Sequence, residues 1–135
     1  MSNPSPTVRK YCEEHGFSRF VREGGFDHLL RRWTRTVAHI DEGYRGLLVE
    51  YQNDMDARRI VNELLPLASD EERAEIEALL PSLDTRFLTA TRAVDSCIYG
   101  QENAAKFDYS PDHDWWYYRI PTNLNRVEDR DEWPE

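Results

Sequence analysis

From Phe26 onward, apolar residues recur with a helical beat: Phe26, Leu30, Trp33, Val37, Ile40, Tyr44, Leu47 and Tyr51 stand four, three, four, three, four, three and four positions apart. Such spacing keeps one apolar stripe on one face of an α-helix. Leu29 and Leu48 widen the stripe, and Met55, Ile60, Val61, Leu64 and Leu65 carry it to Pro66 with a change of phase near Asn53. The pattern predicts a helix over 26–65, with room for a bend at the phase change and a length of about 60 Å. A second stripe follows: Ile76, Leu80, Leu83, Phe87, Ala90, Val94 and Cys97. Ser69 with Glu72 three residues on reads as its capping box, and acidic residues suit that positive helix end. Pro81 removes one backbone donor, so a kink or a restart with Ser82 as cap is expected there, and Gly100 ends the element.

Only Leu67 and Ala68 separate Pro66 from Ser69. So short a connection predicts an antiparallel hairpin whose paired positions sum to about 134, with Ile40 opposite Val94, Leu47 opposite Phe87, Tyr51 opposite Leu83 and Tyr44 opposite Ala90. Upstream, Ser5 as cap, Pro6 at the first helical position and Gly16 as stop mark a short helix with Val8, Tyr11 and Cys12 facing inward. Phe17, Phe20 and Val21 follow as a further turn before Gly24 and Gly25 break the chain. From Gln101 the helical period disappears into Asp, Asn, Pro and aromatic residues. The expected fold is all-α: a long bundle-like antiparallel helical hairpin (26–100), a short N-terminal helix and turn (1–25), and an irregular acidic and aromatic tail (101–135) docked on the helices as part of one domain. Broad stripes on a two-helix hairpin leave one side open, which pairing of two hairpins into a homodimer would close.

The tail carries the most conspicuous run, DWWYYRIP at 114–121. In extended backbone Trp115 and Tyr117 would share one face and Trp116, Tyr118 and Ile120 the other. The run reads first as a cap that packs over Phe26, Leu29, Leu30 and Trp33 at the open end of the hairpin. The alternative is a cap on one face with the other left exposed as a grip, because Trp and Tyr dominate interface hot spots.

A chain of 135 residues with 39% hydrophobic content is large enough to build a core without staples. No apolar run is long enough to span a membrane and the first residues lack a signal-peptide core, so a cytoplasmic location is expected. Cys12 and Cys97 lie far apart without zinc-type spacing and read as buried free thiols. With 26 acidic against 17 basic residues the net charge is −9, which disfavours nucleic acid and favours a basic partner. Against that sign, Arg19, Arg22, Arg31, Arg32 and Arg35 face only Glu23 and Asp27 locally. Arg31, Arg32 and Arg35 form a candidate anion patch, to be compensated by the acidic run Glu128–Glu135 or by an external anion.

Three arrangements suggest chemistry. Asp112, His113 and Asp114, with Asp108 nearby, are a metal-like set, but adjacent loop residues seldom converge on one ion, and no metal or other cofactor is expected. The hairpin register places Asp95 near His39 and Glu42, a polar pair on a helix flank. In RWTRTVAH, Arg32 and His39 resemble the spaced Arg–His motif of the HEPN ribonucleases, which are also helical bundles. That resemblance implies His39 as base and Arg32 as phosphate clamp, although Trp33 stands where the family usually has a polar residue. Otherwise the chain lacks a nucleophile paired with a base, a phosphate loop or clustered ligands, so a binding protein is expected before an enzyme. The preferred reading is an acidic protein-binding module of inhibitor, immunity or adaptor type, docking on a basic partner through Trp115, Trp116, Tyr117 and Tyr118 rimmed by Asp112 and Asp114. DNase-inhibiting immunity proteins are similar in joining helices, acidic charge and adjacent tyrosines. The alternatives are the HEPN-like ribonuclease and a small-molecule or metal-binding bundle.

Overall fold

A computed structural model of the chain describes residues 4–125 and 128–135; the first three residues of the predicted N-terminal segment and positions 126–127 of the tail lie outside the described residues. The fold is all-α, with helices α1 (Pro6–Glu14), α2 (Arg19–Glu42), α3 (Leu48–Leu64), α4 (Asp70–Ala90) and α5 (Gln101–Phe107). A two-stranded antiparallel ribbon joins β1 (Thr91–Ala93) to β2 (Arg119–Pro121), with Arg92 opposite Ile120. No helix among the described residues is long and apolar enough to cross a membrane.

α1 forms as its sequence predicts: the Ser5 hydroxyl accepts from the Val8 amide, Pro6 opens the helix, and Val8 and Cys12 are buried. The glycine break comes as a kink inside a longer helix, since α2 begins at Arg19, with Ser18 as cap, and turns at Gly25 with φ 54°. A side chain at Gly25 would stand 2.7 Å from the Pro4 ring, so both the turn and the close approach of the N-terminal segment need glycine there.

The helix predicted over 26–65 is two helices. The chain leaves the helical path at Gly43, whose φ of 103° suits no other residue well. The tail supplies bonds that a continuing helix would have made for itself: the Tyr44 amide donates to the Asn123 carbonyl at 2.9 Å and the Asn125 amide to the Tyr44 carbonyl at 2.7 Å. His39 Nε2 accepts from the Arg45 amide, Glu50 accepts from the Leu47 amide, and Asp129 accepts from the Leu48 amide at 2.6 Å. Each satisfies a donor that the broken ladder would leave open. Tyr44 stays 1% exposed, so the apolar stripe passes through the break although the helix does not.

The break also changes which helix α4 meets. α3 turns back along α2, and α4 packs chiefly on α2. Ser5, beside the Gly25 kink, donates to Glu72 at the start of α4, and Asp41 near the end of α2 pairs with Arg86 at 2.6 Å, so α2 and α4 run in the same sense. Phe87 therefore lies against Trp33, 5.0 Å between ring centroids, and the register summing to 134 is replaced. α4 runs through Pro81, which sits on its exposed side, and ends at Ala90, where Thr91 turns its hydroxyl back to the Phe87 carbonyl and enters β1. Val94 and Cys97 keep their buried positions outside any helix.

At the centre, Asp84 of α4 accepts from Trp33 Nε1 of α2 at 3.0 Å and from Arg58 of α3 through Nε at 3.0 Å and Nη2 at 2.8 Å. Arg58 is 5% exposed, a burial that a guanidinium tolerates only with such a bidentate partner. Asp84→Ala strands that charge and is expected to cost about 3–5 kcal/mol in urea unfolding; an unchanged midpoint would show the pair to be dispensable. Glu72 gives a pH-dependent counterpart. Burial works to raise its carboxyl, but hydrogen bonds from Ser69 and Ser5 outweigh it and hold the group below its ordinary 4.5. A folded value below the unfolded one means stability that is present above pH 4.5 and lost as pH falls through the folded value. Glu72→Gln should therefore lose roughly 1–3 kcal/mol at neutral pH, and the gap to the parent should shrink in urea titrations as pH falls below 4.5.

Candidate functional site

The aromatic run is not extended: Trp115–Tyr118 is a 3₁₀ turn, which removes the two-faced alternation. Trp116 and Tyr117 are 0% exposed and Tyr118 is 8% exposed, while Trp115 is half-buried. Their polar atoms are mostly anchored, with Tyr117 donating to Asp56 at 2.6 Å and Tyr118 to the Tyr109 carbonyl at 3.0 Å. The Arg58 guanidinium lies over both indoles, 5.4 Å from the Trp115 centroid and 5.1 Å from that of Trp116. Three of the four rings expected to grip a partner are thus core, because a ring without accessible surface has no contact to give. Asp114, expected on the rim, is buried and staples its own loop by accepting from the Ser110 amide at 3.1 Å and from His113 at 3.0 Å. Asp112 is exposed.

The loop 108–114 is a ridge between two hollows. On one side Pro111, Trp115 and Tyr118 line a depression of about 360 Å³ that also takes in Leu88. On the other, a cleft of about 710 Å³ opens against α3, walled by Arg59, Glu63, Phe107, Tyr109, Asp108 and Trp116, among others. Phe107 is 55% exposed at its edge, and Tyr109 stacks on it at 5.8 Å. Arg59 donates to Glu63 at 2.8 Å. Burial opposes the charge of Arg59, but Tyr117, Asp56 and Glu63 around it hold its pKa above the ordinary value. Arg59 Nε and Trp116 Nε1 are buried without an acceptor among the described residues, an uncommon state for N–H groups that normally find one. Sequence reasoning missed this cleft, since its walls come from α3 and from a tail that carries no helical period.

The three arginines of the anion patch have different fates. Arg31 pairs with Asp27, and Arg32 reaches the Asn53 carbonyl at 3.3 Å and Asp54 at 4.0 Å. Arg35 is exposed and makes no ion pair among the described residues. His28 registers the cluster: burial and then Arg32, Arg35 and Arg31 push its pKa down. Asp129 of the C-terminal acidic run caps α3 and holds Trp133 Nε1 at 3.1 Å, so its charge serves the turn and the anchoring of the tail.

Arg32 and His39 do share one hollow, of about 140 Å³, with Arg35, Thr36 and Asp54. His39 Nε2 is occupied by the Arg45 amide at 3.1 Å and the ring lies 4.5 Å from Tyr44. Its neighbours are these groups, where the superseded hairpin register had placed Asp95. Tyr44 donates to Asp54 at 2.7 Å. Burial pushes the Asp54 carboxyl up, while the Tyr44 hydroxyl and Arg32 draw it back. Among the described residues no three His, Cys, Asp or Glu side chains lie close enough to hold a metal ion. Comparison with known protein families, with curated proteins and with solved structures gave no match.

The two kinds of aromatic predict opposite outcomes. Trp116→Ala empties a fully buried site and should cost about 3–5 kcal/mol in thermal or urea unfolding. Phe107→Ala, at an exposed edge, should stay within about 0.5 kcal/mol of the parent. Equal losses for both would mean that Phe107 belongs to the core.

Proposed function

We propose that the protein is an acidic binding module that docks on a basic partner protein. The observation that carries this reading is the cleft of about 710 Å³ beside an acidic loop, with the exposed Phe107 at its edge. An apolar anchor within a charged rim is the usual anatomy of a specific interface. The net charge of −9 steers a cationic partner toward it. The grip differs from the one expected of the aromatic run: Phe107 and Tyr109 supply the rings of the cleft, and Asp108 and Asp112 the rim. A lysine or arginine of the partner entering the cleft would lay its stem along Phe107 and Tyr109 and bring its head to Asp108 or Glu63.

The ribonuclease reading is supported less well, because the only lone pair of a neutral His39 is spent on the Arg45 amide. A homodimer has less to gain than the two stripes suggested, since the tail lies on α3 with Tyr51 donating to the Arg119 carbonyl and Gln52 to that of Ile98.

A fluorescent arginine-rich peptide serves as the probe. The protein is expected to bind it with an affinity that falls as salt is added. Phe107→Ala, which leaves the net charge unchanged, should weaken binding about tenfold, the loss of one good anchor. Equal binding by parent and variant would reduce the attraction to bulk charge and sink the proposed cleft.

A further inference from the structure

Arg32, Arg35, Thr36 and His39 are spaced by three, one and three along α2, so they lie on one helical face, and that face forms one wall of the hollow that Asp54 closes from α3. We propose that this hollow is a binding site for a single phosphoryl group, free or at the end of a small phosphate monoester.

Four residues with donor groups line it. Arg35 has no counter-ion among the described residues. Arg32 is held in place by the Asn53 carbonyl, so its guanidinium is pre-set. Thr36 lines the hollow, and its hydroxyl makes no hydrogen bond among the described residues, so it is free to donate to a bound oxyanion. His39 accepts at Nε2 from the Arg45 amide, so a neutral ring carries its proton on Nδ1, available as a donor. A wall rich in donors suits a fully ionised oxyanion, and guanidinium forks match phosphate geometry. Among the described residues Asp54 is the only carboxylate on the wall; it already accepts from Tyr44 at 2.7 Å and faces Arg32. The size agrees as well: about 140 Å³ is a few water volumes at roughly 30 Å³ each, too little for a drug-sized ligand and enough for a tetrahedral anion.

The site stands apart from the acidic cleft, so its test is independent of the proposed partner. The full chain is titrated with inorganic phosphate and, separately, with phenyl phosphate, followed by ³¹P NMR line width and by melting temperature, against chloride at matched ionic strength. Saturable binding of inorganic phosphate is expected in the parent. Arg35→Gln should weaken it about tenfold, as for a lost charge-assisted bond, and Thr36→Val by a smaller factor, both folding as the parent does without phosphate. Binding of both probes assigns the site to a monoester end, and binding of inorganic phosphate alone assigns it to the free ion. A parent that responds to neither probe beyond chloride, or an Arg35→Gln variant that binds as well as the parent, overturns the proposal.

Discussion

Asp84 receives hydrogen bonds from Trp33 and Arg58, and so ties one residue of each of the three long helices to a single carboxylate. Arg58 in turn lies beneath Trp115 and Trp116, which brings the tail onto the same point. A buried guanidinium is costly unless both faces of the problem are solved, charge by a carboxylate and exposed plane by aromatic surface. Here both are, and the solution dictates geometry. α4 must present Asp84 to α2 and α3 at once, which is why it settles against α2 in place of extending an α3–α4 hairpin. The tail must bring two indoles over Arg58, which fixes its 3₁₀ turn.

The tail is part of the fold for a second reason. The turn at 43–47 leaves backbone groups open on both sides, and Asn123, Asn125 and Asp129 meet several of them. An Asn-rich segment unable to build a core of its own gains order by completing another segment's hydrogen bonds. Removing it would expose Tyr44 and Tyr51, which pack at 5.2 Å with Trp133 against both. Cap and turn thus depend on each other.

This mutual dependence decides what could be read from the sequence. The helical stripe of α2 and α3 was legible, and so were the caps at Ser5 and Ser69, because each rests on neighbours a few positions away. The break at Gly43 was not, since Tyr44 and Leu47 keep the helical beat and the bonds that replace the helix come from residues about 80 positions later. Gly43 and Gly46 were the available signal, outweighed by the stripe. The aromatic run divided between cap and grip for the opposite reason: an assumed extended backbone presents two faces, whereas the tight turn buries three of the four rings and leaves mainly the cap. For the sites, the arginine patch was legible as charge. That Thr36 and Asp54 complete a hollow around it required knowing which face of α2 meets α3.

Net charge conceals a partition that matters for recognition. Arg58 is spent on Asp84, Arg59 on Glu63, Arg86 on Asp41, and Arg119 on the Thr91 hydroxyl and nearby carbonyls. The three ion pairs cancel locally and contribute little field outside, whereas Arg119, bonded to neutral acceptors, keeps its charge. Asp112 and Asp108, exposed at the ridge and without such pairing among the described residues, act outward at full strength, and so does Arg35 on α2. Among the signed features the chain shows its surroundings are an acidic ridge beside an apolar cleft and a hollow lined by Arg32 and Arg35. Attraction to either decays within about 10 Å in ordinary salt, so selectivity must come from what each charge stands beside. For the ridge that is Phe107, and for the hollow it is the Thr36 hydroxyl.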